Sequence, residues 1–344
     1  MSQRRNHFGI DLMKFVAAML VVAGHVRPLI SYSLTLDVFV IHVLARVTIQ
    51  FFFMTAGYLL FRKIAFPLRE HPENRGVVFL YVKRILILYL IWYLIYAGIA
   101  LFYFVKLVGF DLFGFYLFYR FLWTGSHLWY LFALAVAVVL AFVSLHYLSF
   151  KKALILGVVL YLVGLFGDAW YGVGVDLSIN APYDFYRFLF NTTRDGLFFG
   201  YFFVVMGAYF VKTSFKIRNP FFWFFTFMVG LTFEVYLLRA YSRPLDFNLL
   251  LFALPASICL FSGMVEIDLK ERKIYRWLRD ASLIVYLVHP LIIIVLPMIL
   301  GGLGLGSLGS NSLFEYFAVA LISYAFSWIL LMAARYLPFL KYLF

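Results

Sequence analysis

The sequence predicts an all-helical, polytopic membrane bundle of about ten spans, forming a single domain over residues 1–344. Three observations predict it. The 344 residues are 65% hydrophobic, 22% aromatic and only 13% charged, whereas a soluble protein is about 45–50% apolar and about 25% charged. Apolar runs of spanning length recur along the whole chain. Basic residues gather in alternate loops. With the amino terminus inside, 20 of the 29 Lys and Arg fall on the cytoplasmic side and 8 on the opposite side, with Lys14 the remaining one. This bias predicts an even number of spans and two cytoplasmic termini. Retained loop cations also account for the net charge of +13, so no nucleic-acid partner is expected. The expected setting is a multi-pass protein of a bacterial plasma membrane, with the lipid bilayer as its first partner.

The elements follow in order. The first run, 8–30, comes after Arg4 and Arg5. It reads as a span and not as a signal peptide, because Lys14 and His25 interrupt it and nine further runs follow. The second run is 37–61 and carries Arg46. The third, 77–105, holds Lys83 and Arg84 near its start, and the fourth, 127–147, opens on His127 and Trp129. The fifth, 153–167, is short; the sixth, 194–211, opens on Arg194 beside Asp195. The seventh, 220–238, contains the Phe221 to Phe227 aromatic run, read as packing, and Glu234. The eighth, 245–264, contains the single cysteine, Cys259, so no intrachain disulfide is possible. The ninth, 281–300, places His289 before Pro290, where a broken helix would free backbone carbonyls. The tenth is 313–334.

The longest loops are 62–76, 168–193 and 265–280, and no soluble catalytic domain is expected. The 168–193 loop carries Asp168, Asp176, Asp184 and Arg187 among aromatics, faces outward and is placed to roof a cavity. Gly301 to Gly306 is a flexible connection; no strand precedes it, so it is not a dinucleotide loop.

Lys14 and His25 are the most informative pair. Eleven residues apart on one helix, they are rotated to within about 20° of one face and separated by roughly 16 Å along the axis. That is about half of a bilayer core. Ionisable groups in that setting are functional candidates by default. Asp11 is three residues from Lys14 and can pair with it. The residues alone leave two readings open. Lys14 snorkels to water and His25 is a buried imidazole bonded to a neighbouring helix, or His25 is a general base or transient acyl carrier.

Other polar residues divide in the same way. Arg46 and Glu234 lie in outer halves of spans and can pair with each other or with His25. Arg194 serves a site or pairs with Asp195. His127, with Trp129 and Tyr130, shapes an acceptor entrance or belongs to an interfacial belt. His289 reads as a packing histidine and His42 as interfacial. The seven His show no metal-ligand spacing, so no metal is expected.

The segment Gly9-Ile10-Asp11-Leu12-Met13-Lys14 through His25 resembles the opening of the acyltransferase type 3 family, whose signature is Arg or Lys, ten residues, then His. Four further blocks agree in order: Phe51 to Tyr58, Lys83 to Tyr89, His127 to Leu131, and Ser282 to Tyr286 with His289 and Pro290. The resemblance implies a polytopic enzyme that moves an acyl group onto an extracytoplasmic hydroxyl, on a cell-envelope glycan or lipid-linked sugar. It implies cytoplasmic acyl-CoA, such as acetyl-CoA, as donor. Lys83, Arg84 and Lys14 would serve the donor's phosphates by charge-assisted bonds, and His25 would act as base or acyl relay. The thioester carries its own activation, so no bound cofactor is expected.

Three positions depart from the family pattern: Ala56 where Ser is usual, Gln50 where Pro is common, and Ile87 where Arg often stands. The segments Leu160 to Trp170 and Thr193 to Phe199 resemble the membrane half of the vancomycin-resistance serine racemases. That half precedes a pyridoxal-dependent domain, which is not expected here because the chain ends at Phe344. This likeness implies a second role, a transporter or delivery module for a small polar metabolite such as serine.

Overall fold

The computed structural model describes residues 7–107 and 127–344; the side chains at 100 and 102–107 are excluded from that description. Arg4, Arg5, Arg120 and the side chain of Lys106 therefore lie outside it. The described residues are helices joined by turns, with no strand among them.

Each of the ten apolar runs contains a helix. Helix α1 is Phe8–Val26, α2 is Leu34–Phe61, α3 is Asn74–Leu107 and α4 is Trp129–Tyr147. Helix α5 is Phe150–Leu165, followed by two short helices, α6 (Tyr171–Asp176) and α7 (Ala181–Phe190). Then come α8 (Gly196–Thr213), α9 (Pro220–Tyr241), α10 (Ala253–Glu266) and α11 (Lys273–Gly302). A single turn, α12 (Gly306–Gly309), leads into α13 (Ser312–Tyr336). Among the described residues, eight of these are long and apolar enough to cross a membrane. Helix α5, with 16 residues, and α10, with 14, fall short of the roughly 20 a spanning helix needs.

The eighth run shows why α10 is short. Residues 245–252 are apolar but not helical. Backbone amides inside an apolar bundle need partners, and here two carboxylates supply them. Asp168 Oδ1 accepts from the amides of Asn248 (2.7 Å) and Leu249 (3.0 Å). Glu234 accepts from Leu251 (2.7 Å) and Phe252 (2.9 Å), and the Tyr161 hydroxyl accepts from Leu250 at 3.1 Å. The helix then starts at Ala253. The ninth run differs from expectation in the other direction: α11 continues unbroken through Pro290 and Pro297.

Contacts fix the helix directions. Phe8 packs on Tyr275 (ring centroids 5.4 Å) and His25 on His289 (4.9 Å), so α1 and α11 run parallel. Ser31 meets Ser312 (2.7 Å) and Phe15 meets Tyr324 (5.2 Å), so α13 runs antiparallel to α1. The start of α1 and the end of α13 therefore share one face. The pair α2 and α8 crosses most closely through Gly57 and Gly207. A side chain at Gly57 would strike the Val204 carbonyl, and one at Gly207 would strike the Met54 carbonyl. Small residues at a crossing let helix backbones touch where lipid gives no hydrophobic drive.

Candidate active site

Helix α1 stops just past His25. Arg27 adopts a left-handed φ of 60° and donates its amide to Ala23 O at 2.8 Å. The buried Asp37 clamps the turn, accepting from Arg27 Nε at 2.9 Å and from the Leu29 amide at 3.2 Å. His25 thus sits in the last turn of α1.

Its ring is exposed, yet Val21, Val22 and Val26 around it are buried. Lipid-facing Val16, 40% exposed, is nine residues away, which is roughly 180° around a helix. The open face of His25 therefore points into the bundle interior. Lys14 lies on the same inward side and is half-buried. It forms no hydrogen bond or ion pair with a described residue. The expected contact pair with Asp11 is absent, although Asp11, Arg279 and Asp280 all lie close enough to act electrostatically on Lys14. The four charges cluster where α1 begins to pack on α11.

The neighbour of His25 is His289, which the sequence marked only as packing. His289 Nε2 is 3.3 Å from His25 Nδ1. Each ring also meets the carbonyl four residues back: His25 Nδ1 is 2.9 Å from Val21 O, and His289 Nδ1 is 2.9 Å from Val285 O. A carbonyl only accepts, so both Nδ1 atoms carry the proton when the rings are neutral. The lone pair of His289 Nε2 then faces the His25 Nδ1–H. The second lone pair, on His25 Nε2, is left for another proton. An orienting acceptor on one imidazole nitrogen fixes the tautomer and makes the other a base.

His127 joins the same cluster. It is buried, with its ring 5.5 Å from His289, 4.8 Å from Tyr96 and 5.4 Å from Tyr286. Its carbonyl accepts from the Tyr286 hydroxyl at 2.7 Å, which ties the start of α4 to α11. Its Nε2 is buried with no hydrogen-bond partner among the described residues.

A second group of charges lies on the same side of the molecule. Arg46 follows a π-helical turn, Val40–Leu44, and Arg194 precedes another, Gly196–Gly200; such turns cluster at functional sites. Both guanidiniums donate to Asn248 Oδ1, from Arg46 at 2.6 Å and Arg194 at 3.2 Å. Asn248 is held in turn by Asp168 at 3.1 Å. Arg194 also stacks over Trp129, 4.5 Å from the ring centroid, a favourable cation–π geometry. The charges of Arg46 and Arg194 both act on His25.

Several expected pairings are replaced. Arg46 pairs with neither Glu234 nor His25; it meets His42 Nδ1 at 3.0 Å and Asp246 at 3.7 Å. His42 is thereby drawn into the cluster. Glu234 is taken up by the Leu251 and Phe252 amides and by Trp170 Nε1 at 2.8 Å. Both of its oxygens are thus engaged by groups of the protein. Asp195 likewise caps the amides of Leu197 and Phe198 instead of pairing with Arg194. Lys83 and Arg84 are exposed near the start of α3, and Arg84 donates to the Phe344 carbonyl at 3.4 Å. A cavity of about 400 Å³ beside Trp92, Leu291 and Phe326 is walled entirely by apolar side chains; it offers nothing to a phosphate. No group of three metal-binding side chains occurs among the described residues.

The family described as an acyltransferase domain matches residues 7–332. The chain belongs to the acyltransferase type 3 family. An amino-acid racemase of Enterococcus faecalis is 30% identical over 97% of this chain and 47% of its own length. A serine/alanine racemase of Enterococcus gallinarum is 33% identical over 82% of this chain and 40% of its own length. A further Enterococcus faecalis amino-acid racemase is 28% identical over 79% of this chain and 38% of its own. The chain thus spans less than half the length of these relatives. No solved structure matches it significantly.

Proposed function

We propose that this protein is a membrane O-acyltransferase that moves an acetyl or other short acyl group from cytoplasmic acyl-CoA to a hydroxyl on the outer side. The acceptor class is a cell-envelope glycan or lipid-linked sugar. Family membership supports the reaction class. The observation that carries the chemistry is the His25–His289 contact, which holds one imidazole by its Nδ1 and leaves its Nε2 directed inward.

In this reading the acceptor hydroxyl donates its proton to His25 Nε2 as its oxygen attacks the thioester carbonyl. The C–S bond breaks, and the proton passes to the departing CoA thiolate. The imidazolium formed on the way is stabilised by two acceptors at its Nδ1, Val21 O and His289 Nε2. In the relay variant, His25 Nε2 attacks the thioester itself and hands the acyl group on. Labelled acyl would then stay on the protein after donor is removed. Lys14, unpaired among the described residues, serves a donor phosphate inside the bundle, and Lys83 and Arg84 serve its entry.

Purified protein in liposomes with labelled acetyl-CoA tests this. Donor turnover or self-acylation is expected, and His25→Ala should abolish it without loss of folded protein. A well-folded His25→Ala variant with full activity would overturn the assignment. The racemase names of the relatives favour one other reading, delivery of a small polar metabolite such as serine. Saturable uptake into proteoliposomes with no CoA ester present would support that reading instead.

A further inference from the structure

We propose that Arg46 and Arg194 form a carboxylate-binding subsite, so that the acceptor meeting His25 carries a carboxylate beside its reactive hydroxyl. This deepens the acyltransferase reading and rests on it for the word acceptor, though not for the site itself.

Most hydrogen-bond donors of this arginine pair are unspent among the described residues. Two guanidiniums present ten N–H groups. Protein acceptors engage few of them. Among the described residues, Arg194 donates to Asn248 alone, and Arg46 to Asn248 with His42 as its second contact. The Nε atoms of both arginines are buried with no hydrogen-bond partner among the described residues. Buried donors left without acceptors are rare in folded proteins and call for a ligand or a water.

The nearest carboxylates do not fill the gap. Asp246 stands 3.7 Å from both arginines, beyond hydrogen-bond reach of either. Asp168 spends both oxygens on Asn248 and Leu249. The charges of Asp246 and Asp168 act on this pair from a distance and leave the guanidinium forks open. A monoanionic carboxylate adds less excess charge to such a set than a phosphate dianion does. The planar guanidinium fork also matches a carboxylate edge for edge. Trp129, under the Arg194 plane at 4.5 Å, holds that fork in place. Asn248 Oδ1, already between the two guanidiniums, marks where an acceptor oxygen sits.

The test uses the full chain in detergent and matched probes. L-Lactate is compared with propane-1,2-diol, and D-glucuronate with D-glucose and D-glucose 6-phosphate. Thermal unfolding reads binding without any need for acyl transfer. At least one carboxylate should raise Tm saturably while its neutral partner does not. Arg194→Gln should weaken that binding about tenfold or more. Asp246→Asn, which removes the competing carboxylate, should tighten it several-fold. A merely structural cluster would lose stability in both variants and gain affinity in neither. His25→Ala should bind the carboxylate as before. The proposal is overturned if neither carboxylate stabilises the protein, if the neutral or phosphate probe does so equally, or if Asp246→Asn weakens binding. Binding without acyl transfer would sink the enzyme reading and leave the subsite. Acyl transfer without carboxylate binding would do the reverse.

Discussion

At the residue scale, the two histidines divide one task. His25 offers Nε2 and His289 holds the other side of the ring. Removing His289 should therefore lower kcat while leaving KM for the donor nearly unchanged. His289→Phe, which keeps the ring but not the acceptor nitrogen, should lose most of the rate, on the order of the 10²–10⁴-fold that general-base catalysis supplies. Full activity in that variant would show that His289 only packs. Lys14 makes the opposite split. Lys14→Ala should raise the donor KM with a smaller effect on kcat, and an unchanged donor titration would remove Lys14 from the donor path. The Lys14 and His25 positions were legible in the sequence because both are ionisable interruptions of one apolar run. His289 was not. It lies 264 residues from His25, and on its own helix it looks like any buried imidazole. Only the parallel packing of α1 on α11 reveals the pair.

At the element scale, apolar run length located all ten helical segments but missed the unwound stretch before α10. Run length measures side chains, whereas the unwinding is decided by where amide hydrogens go. Glu234 looked like a binding group because an intramembrane carboxylate is costly. Its cost is offset by the Leu251 and Phe252 amides and by Trp170. Glu234→Gln replaces a charged acceptor of three bonds with a neutral one. We expect a loss of about 1–3 kcal/mol, read as a lower Tm, with donor KM unchanged in the protein that stays folded. A changed donor KM at wild-type Tm would return Glu234 to the site. The α2–α8 crossing makes a similar demand. Gly57→Leu should separate the two backbones and thereby move Arg46 away from Arg194. Activity should fall together with Tm, although no chemical group has been altered; retained activity would mean the crossing does not position the site.

At the scale of the whole molecule, the antiparallel α1 and α13 place both ends of the described chain on one face. From the count of basic residues, that face is expected to be the cytoplasmic one. A fluorescent protein fused to either terminus should therefore glow in cells, and alkaline phosphatase fused at the same points should be inactive. An active phosphatase at one end alone would mean an odd number of crossings. A fusion in the 168–193 loop should report the reverse side.

The parallel seam from Phe8–Tyr275 to His25–His289 has one more consequence. A carrier that alternates between two openings has to slide or tilt its halves past each other, and a seam lying between such halves would have to slip at each cycle. Stapling this seam with a reversible crosslink between α1 and α11 should spare group transfer and freeze a carrier whose halves part there. The same lock thus asks whether cargo moves through a still protein or rides on a rocking one.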